Sequence, residues 1–413
     1  MTYQEALEWI HSKLAFGIKP GLERMQWLLE QLGNPQDNIS AVHIVGTNGK
    51  GSTTSYLQHI FSLAGYEVGT FTSPYITDFR ERISINNQMI AKDDFIDLVE
   101  SVKPTVERLP LETDMEPATE FEVITLLMLV YFGHKHPVDI AIIEAGMGGL
   151  YDSTNVLSPL AVLCPSIGLD HQDVLGDSYE QIARQKVGVL KQGVPFIYAN
   201  DRSDVEQVFC KQMQETNSQG YRLGRDFKIV TDGNNFHYQM GEVGLKAIKL
   251  QLLGEHQMAN ASLAITASLL LFQKYPNLTL EHIKAGLEAT TWAGRTELMR
   301  DNLMIDGAHN QESVEALVKV LKDYTHKPIK ILVGTLTTKP VLAMLKQLET
   351  LGDVSVTQFD YPNATPLDSY PKAYPRIHSW QEWLDKACDK DCFYLVTGSL
   401  YFIAQVRAYL REE

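Results

Sequence analysis

The sequence predicts an α/β protein built on two mostly parallel sheets, a larger N-terminal one flanked by helices and a smaller, Rossmann-like C-terminal one. Three observations carry this. Short apolar runs alternate with helix-period segments. The alternation breaks and restarts near residue 300. A length of 413 residues also points to two domains rather than one.

Taken in order, Ala41–Val45 (AVHIV) reads as a buried strand, followed by a glycine-rich turn and a helix over Lys50–Ala64. Val68–Phe71 is a second strand. Thr119–Phe132 is a strongly apolar helix with Thr119 as its cap. Val138–Ile143 and Leu160–Cys164 are strands, Tyr179–Leu190 a helix and Phe196–Tyr198 a strand. Such alternation implies parallel strands with helices on both faces. The second series runs through strand Leu303–Ile305, helix Gln311–Leu321, strands Ile329–Val333, Val354–Phe359 and Phe393–Val396, and a closing helix. The TTWAGRTE stretch, Thr290–Glu297, separates the two series, giving domains over residues 1–294 and 295–413.

Composition narrows the function classes. Hydrophobic residues at 44% and charged residues at 21% allow a large core and exclude a disordered or collagen-like chain. A net charge of −15 argues against a nucleic-acid coat or a polybasic membrane binder. It leaves room for a locally positive pocket. Cys164, Cys210, Cys388 and Cys392 are too scattered for a disulfide framework, and the C-x3-C pair lacks the second pair a zinc site needs. They read as free thiols in a reducing cytosol. The acidic N-terminus is unlike a signal peptide, and no apolar run approaches the ~20 residues that span a bilayer. The expectation is a cytoplasmic protein without membrane or nucleic-acid partners.

The strongest local motif is GTNGKGST, comprising Gly46, Thr47, Asn48, Gly49, Lys50, Gly51, Ser52 and Thr53. It leaves a strand and opens a helix, so the N-terminal sheet is P-loop-type. Its glycines allow a tight turn with amides facing a phosphate. Lys50 supplies charge to the terminal phosphates and Ser52 a hydroxyl for Mg2+. The spacing departs from a strict Walker A, with two residues between Gly46 and Gly49-Lys50. Glu144, ending an apolar strand before AGMGG, reads either as a solvated carboxylate or as a Mg2+ ligand. Asp170, His171 and Asp173 cluster in a turn. Spacing does not separate Lys186 from Arg184 or Lys191, so it reads as a solvated or dipole-complementing cation. Arg295 is a candidate phosphate fork. Asp306, His309 and Asn310 follow a strand, and Ser399 lies at a strand-to-helix turn.

Together these segments resemble the folylpolyglutamate synthase and dihydrofolate synthase family, a branch of the Mur-type ATP-dependent amide ligases. The resemblance runs in order through GTNGKGST, FTSP (Phe71–Pro74), ERISIN, TEFE, EAGMGG, DSTN (Asp152–Asn155), LDH, the Lys186 helix, GEHQMAN, GRTE, DGAHN and TGSLY. It implies Mg2+ ligands at Ser52, Ser73, Glu144 and His171, and ATP contacts from the phosphate loop, Asn260, Arg295 and Asp306. It implies a carbamylated Lys186, and His309 and Ser399 near an incoming L-glutamate. The implied reaction is glutamate addition to the γ-carboxylate of a (tetrahydro)folate through an acyl phosphate, by a monomer with ATP lying between its domains. The chain departs from the family at GTLTTKP, where Thr338 and Pro340 replace two aspartates beside Lys339, and at Leu150, where bifunctional members often carry Arg. Leu150 favours folylpolyglutamate synthesis over the alternative, glutamate addition to dihydropteroate. A Mur-type ligase for another acid, and a silent nucleotide-binding paralogue, are the remaining readings.

Overall fold

The computed structural model describes residues 1–17, 19–233 and 235–412. It divides into two compact units. Unit 1 comprises Met1–Tyr75, Arg80–Leu250 and Met258–Thr290, and unit 2 comprises Ile76–Phe79, Gln251–Gln257 and Thr291–Glu413.

Unit 1 is built on eight strands: β1 (Ala41–Ile44), β2 (Val68–Phe71), β3 (Ile83–Ile85), β4 (Gln88–Met89), β5 (Ile140–Glu144), β6 (Ala161–Cys164), β7 (Phe196–Tyr198) and β8 (Gly220–Arg222). Their order is β4-β3-β2-β5-β1-β6-β7-β8. All neighbours are parallel except β2–β3 and β3–β4. The residues of β1, β2, β5, β6 and β7 are buried throughout, as continuous apolar runs in a doubly covered parallel sheet require. β1 lies between β5 and β6, although the next strand along the chain, β2, lies beyond β5. That arrangement makes the carboxyl ends of β1, β5 and β6 one contiguous edge, where ligands of such sheets bind.

The apolar helix forms over Glu120–Val130 and is buried on nearly every side, which is why its sequence shows little amphipathic period. Thr119 opens it with a capping box: its hydroxyl accepts from the Glu122 amide, and the Glu122 carboxylate accepts from the Thr119 amide. Several elements were not read from the sequence, and two of these regions are informative. A three-stranded antiparallel sheet, β9 (Lys228–Asp232), β10 (Asn235–Met240) and β11 (Val243–Lys249), has two largely exposed edge strands, β9 and β11. The helix Lys92–Glu112 carries Pro104 and Pro110 inside it, residues that normally argue against a helix interior.

Unit 2 holds β12 (Glu297–Arg300), β13 (Leu303–Asp306), β14 (Ile329–Val333), β15 (Gly352–Thr357), β16 (Arg376–Ile377) and β17 (Phe393–Thr397), in the order β12-β13-β17-β14-β15-β16. Only the edge pair β12–β13 is antiparallel. Apolar clusters cover both faces, one around Leu317, Met344 and Leu348 and the other around Leu384, Phe402 and Val406. Among the described residues no helix is long and apolar enough to cross a membrane, and all four cysteines are free.

Candidate active site

The phosphate loop leaves β1 and enters the helix Lys50–Leu63. Gly46 and Gly49 adopt φ of 140° and 87°, the left-handed side that an L side chain disfavours. A Cβ on Gly49 would stand 2.5 Å from Asn260 Oδ1, so Asn260, buried on the helix Glu255–Leu270, closes over the turn. Gly51 differs from the expectation: it belongs to the first helical turn, not to the bend. The loop is laced to the segment after β6. Thr47 and Asn48 amides donate to the Ser166 carbonyl and hydroxyl, and the Thr47 hydroxyl both accepts from the Gly168 amide and donates to its carbonyl. His171 stands three residues farther on, with φ of 52° and a half-exposed ring. Ser73 stands just past β2 at the same edge of the sheet. Ser52 and Thr53 are buried, the Thr53 hydroxyl donating to the Gly49 carbonyl at 2.9 Å.

Lys50 Nζ donates to the carbonyls of Gly46 and Thr47 at 3.1 and 3.3 Å and lies 3.8 Å from Glu144 Oε1. The register Ile44↔Glu144 puts the carboxylate beside the start of the loop. Glu144 is 4% exposed, so it is not a solvated strand end. Among the described residues no three His, Cys, Asp or Glu side chains gather as a metal centre. A buried carboxylate with serine hydroxyls beside a phosphate loop nevertheless fits Mg2+, which takes one or two carboxylates and completes its shell with phosphate oxygens and water.

Lys186 requires a correction. It is 4% exposed, and Nζ donates to the Gly46 carbonyl at 2.9 Å. The helix Tyr179–Val187 buries Ile182, Ala183, Lys186 and Val187 together, an i, i+4 stripe that places the lysine on the core face. Burial, reinforced by the charge of Lys50, pushes its amine down to about 7.

Sequence reasoning missed the structural part played by the segment that joins these groups. Asp152, Ser153, Thr154 and Asn155 are all buried. The Asp152 carboxylate accepts from the amides of Met147 and Thr154 and from the Thr154 hydroxyl. Burial pushes its carboxyl up, and those donors oppose the shift. The Thr154 hydroxyl contacts His43 Nε2 at 2.8 Å, and burial, with Lys191 nearby, pushes His43 down to about 3. Asn155 receives Lys191 Nζ and donates to the Leu150 carbonyl. A Cβ on Gly149 would meet the Lys186 carbonyl at 2.5 Å, so the AGMGG segment packs on the Lys186 helix through bare backbone. The signal was the DSTN string, whose partners lie far away in sequence.

In unit 2 the carboxyl ends of β13, β17 and β14 carry three loops knitted together. The Gly398 amide donates to the Ala308 carbonyl and the Gly334 amide to the Thr397 carbonyl. Asp306 is buried, and its oxygens accept from the Thr296 and Ala308 amides at 2.7 and 2.8 Å. Burial pushes its carboxyl up, while Arg295 opposes the shift. His309 Nδ1 contacts the Gly307 carbonyl at 2.8 Å. Ser399 is buried, its hydroxyl accepting from the Tyr401 amide. Thr338 and Pro340 are exposed, with Lys339 half-buried between them.

Residues 44–268 match the Mur ligase middle domain, which sets the class. A dihydrofolate synthase/folylpolyglutamate synthase of Bacillus subtilis (strain 168) is 37% identical, covering 99% of both chains. A folylpolyglutamate synthase of Lacticaseibacillus casei is 34% identical over 98% of both. The apo form of L. casei FPGS superposes with a TM-score of 0.88 at 33% identity over 100% of both chains. An FPGS–AMPPCP–folate complex gives 0.87 at 33% identity, over 99% of this chain and 100% of that one. The chain therefore belongs to the folylpolyglutamate synthase/dihydrofolate synthase family.

Proposed function

We propose that this chain is an ATP-dependent ligase that adds L-glutamate to the γ-carboxylate of (tetrahydro)folates. The observation that carries the reading is the Lys50–Glu144 pair at 3.8 Å on the phosphate loop, in a chain matched over its length by relatives named for that synthesis. In the first step a carboxylate oxygen of the folate attacks the γ-phosphorus of ATP, the β–γ bridge breaks, and ADP leaves an acyl phosphate. In the second, the glutamate amine attacks the acyl carbon, loses a proton and expels inorganic phosphate.

The loop amides and Lys50 bind the phosphates and offset the charge that spreads over them during transfer. Ser52, Ser73, Glu144 and His171 would hold Mg2+, which when bound neutralises phosphate charge. Lys186 is read as a carbamate: its neutral amine adds to CO2 and releases a proton, turning a buried cation into an anion. Its burial and depressed proton affinity support this, because only the unprotonated amine is nucleophilic. Asn260, Arg295 and Asp306 are read as nucleotide contacts. His309 and Ser399, on the knitted loops of unit 2, are read as glutamate-side residues. We assign residues 1–294 to ATP binding and 295–413 to the glutamate half, in a cytoplasmic monomer, a compartment the four free cysteines support.

The test is ADP release with Mg-ATP and L-glutamate against tetrahydrofolate, dihydropteroate or no acceptor, with mass spectrometry of the products. Glutamate-extended tetrahydrofolate without dihydrofolate is expected. Both products would make the enzyme bifunctional, and nucleotide binding with neither would sink the reading.

A further inference from the structure

We propose that Thr154, oriented by His43, is a positioning residue that fixes the Glu144 carboxylate for the metal-bound nucleotide, an inference that rests on the reading of Glu144 as a Mg2+ ligand. The backbone ladder secures Glu144 only as far as the next residue, where the Ala145 amide donates to the Ile44 carbonyl. Beyond it the chain runs through Gly146, Met147, Gly148 and Gly149, which cannot hold a conformation by themselves. Asp152 holds this stretch by taking the Met147 amide at 2.8 Å.

Asp152 is in turn set by Thr154, whose amide and hydroxyl reach Oδ1 at 3.0 and 2.5 Å. A hydroxyl has a single proton to give. With that proton donated to Asp152, the 2.8 Å contact to His43 has the Nε2–H donating and the Thr154 oxygen accepting. His43 is on β1, three residues before the phosphate loop begins at Gly46. The chain His43–Thr154–Asp152 therefore couples the strand that presents the phosphate loop to the loop that leaves Glu144, and all three side chains are at most 5% exposed.

Groups bonded directly to a metal ligand typically change metal affinity about 10–100-fold when removed, and Thr154, acting on Glu144 only through Asp152 and the Met147 amide, belongs at the low end. Calorimetric titration of AMPPCP into the full chain, with Mg2+ and with EDTA, reads this directly. Thr154→Val is expected to leave the EDTA affinity unchanged and to lose about tenfold of the Mg2+-dependent gain. Thr154→Ser, which keeps the hydroxyl, is expected to restore that gain. A Thr154→Val protein with the full gain, even one that melts earlier, overturns the proposal. Should Thr154→Val fail to fold, His43→Leu carries the same expectation and the same power to overturn. Glu144→Gln separates the two layers. A lost gain there with none lost in Thr154→Val removes the positioning role alone, whereas a full gain in Glu144→Gln removes the reading beneath it.

Discussion

At the scale of single residues, the site combines groups whose chemistry follows from burial and groups whose backbone follows from steric exclusion. Lys50 opens its helix with its amine bonded to loop carbonyls, so Lys50→Ala should fold normally and lose about a hundredfold or more in ligation rate, as expected for one charge-stabilising donor. Near-normal turnover in a folded variant would remove it from the machinery. Gly49→Ala faces both a φ of 87° and Asn260 at 2.5 Å, so it should cost about 1–3 kcal/mol and weaken nucleotide binding. Unchanged stability by denaturant titration would show that the turn relaxes. Lys186 makes a pH prediction. Its folded value, about 7, lies below the ordinary 10.5, so between those values the unfolded chain binds more protons than the folded one. In CO2-free buffer, folded-state stability should therefore rise with pH from about 7 toward 10.5. Lys186→Met should flatten that rise, and an unchanged slope in the variant would assign it to another group.

At the scale of elements, legibility tracked how local the determining forces are. The helix Glu120–Val130 was readable because a capping box lies within four residues and residues 126–130 are all apolar. Thr119→Ala should accordingly cost about 1 kcal/mol of stability, seen as an earlier unfolding transition of unit 1. No loss would mean that burial alone secures the helix start. The phosphate loop was readable for the same reason, its glycines, lysine and hydroxyls being consecutive. The β9–β11 sheet was not, since one face is solvated and the alternation is diluted by exposed polar positions. Nor could spacing place Lys186 inside: Arg184 shares its last helical turn and Lys191 follows just beyond, and which faces inward depends on what the helix packs against. The Thr154 contact to His43 spans 111 positions, a pairing only the sheet order β5-β1-β6 creates.

At the scale of the molecule, the residues read as nucleotide contacts fall in both of two units that each possess a core. The phosphate loop and Asn260 belong to unit 1, as do Glu144 and Lys186, and Arg295 and Asp306 belong to unit 2. A ligand stabilises only what it binds, by about 2.7 kcal/mol at a hundredfold excess over Kd. With the loop, Asn260, Arg295 and Asp306 all serving one nucleotide, Mg-AMPPCP should slow amide exchange in both units, the strands β1 and β5 together with β13 and the segment around Arg295. Arg295→Ala should keep the protection of unit 1 and weaken that of unit 2, because Arg295 brings the positive charge of that pair whereas Asp306, with one backbone amide on each oxygen, can only accept from a neutral donor such as a hydroxyl. Hydrogen exchange read by mass spectrometry resolves the two. Protection confined to β1 and β5 in the unsubstituted protein would remove Arg295 and Asp306 from the nucleotide site. Unit 2 would then keep only its glutamate-side role, and the −15 chain would have to gather its phosphate-binding charge from Lys50 and the loop amides alone.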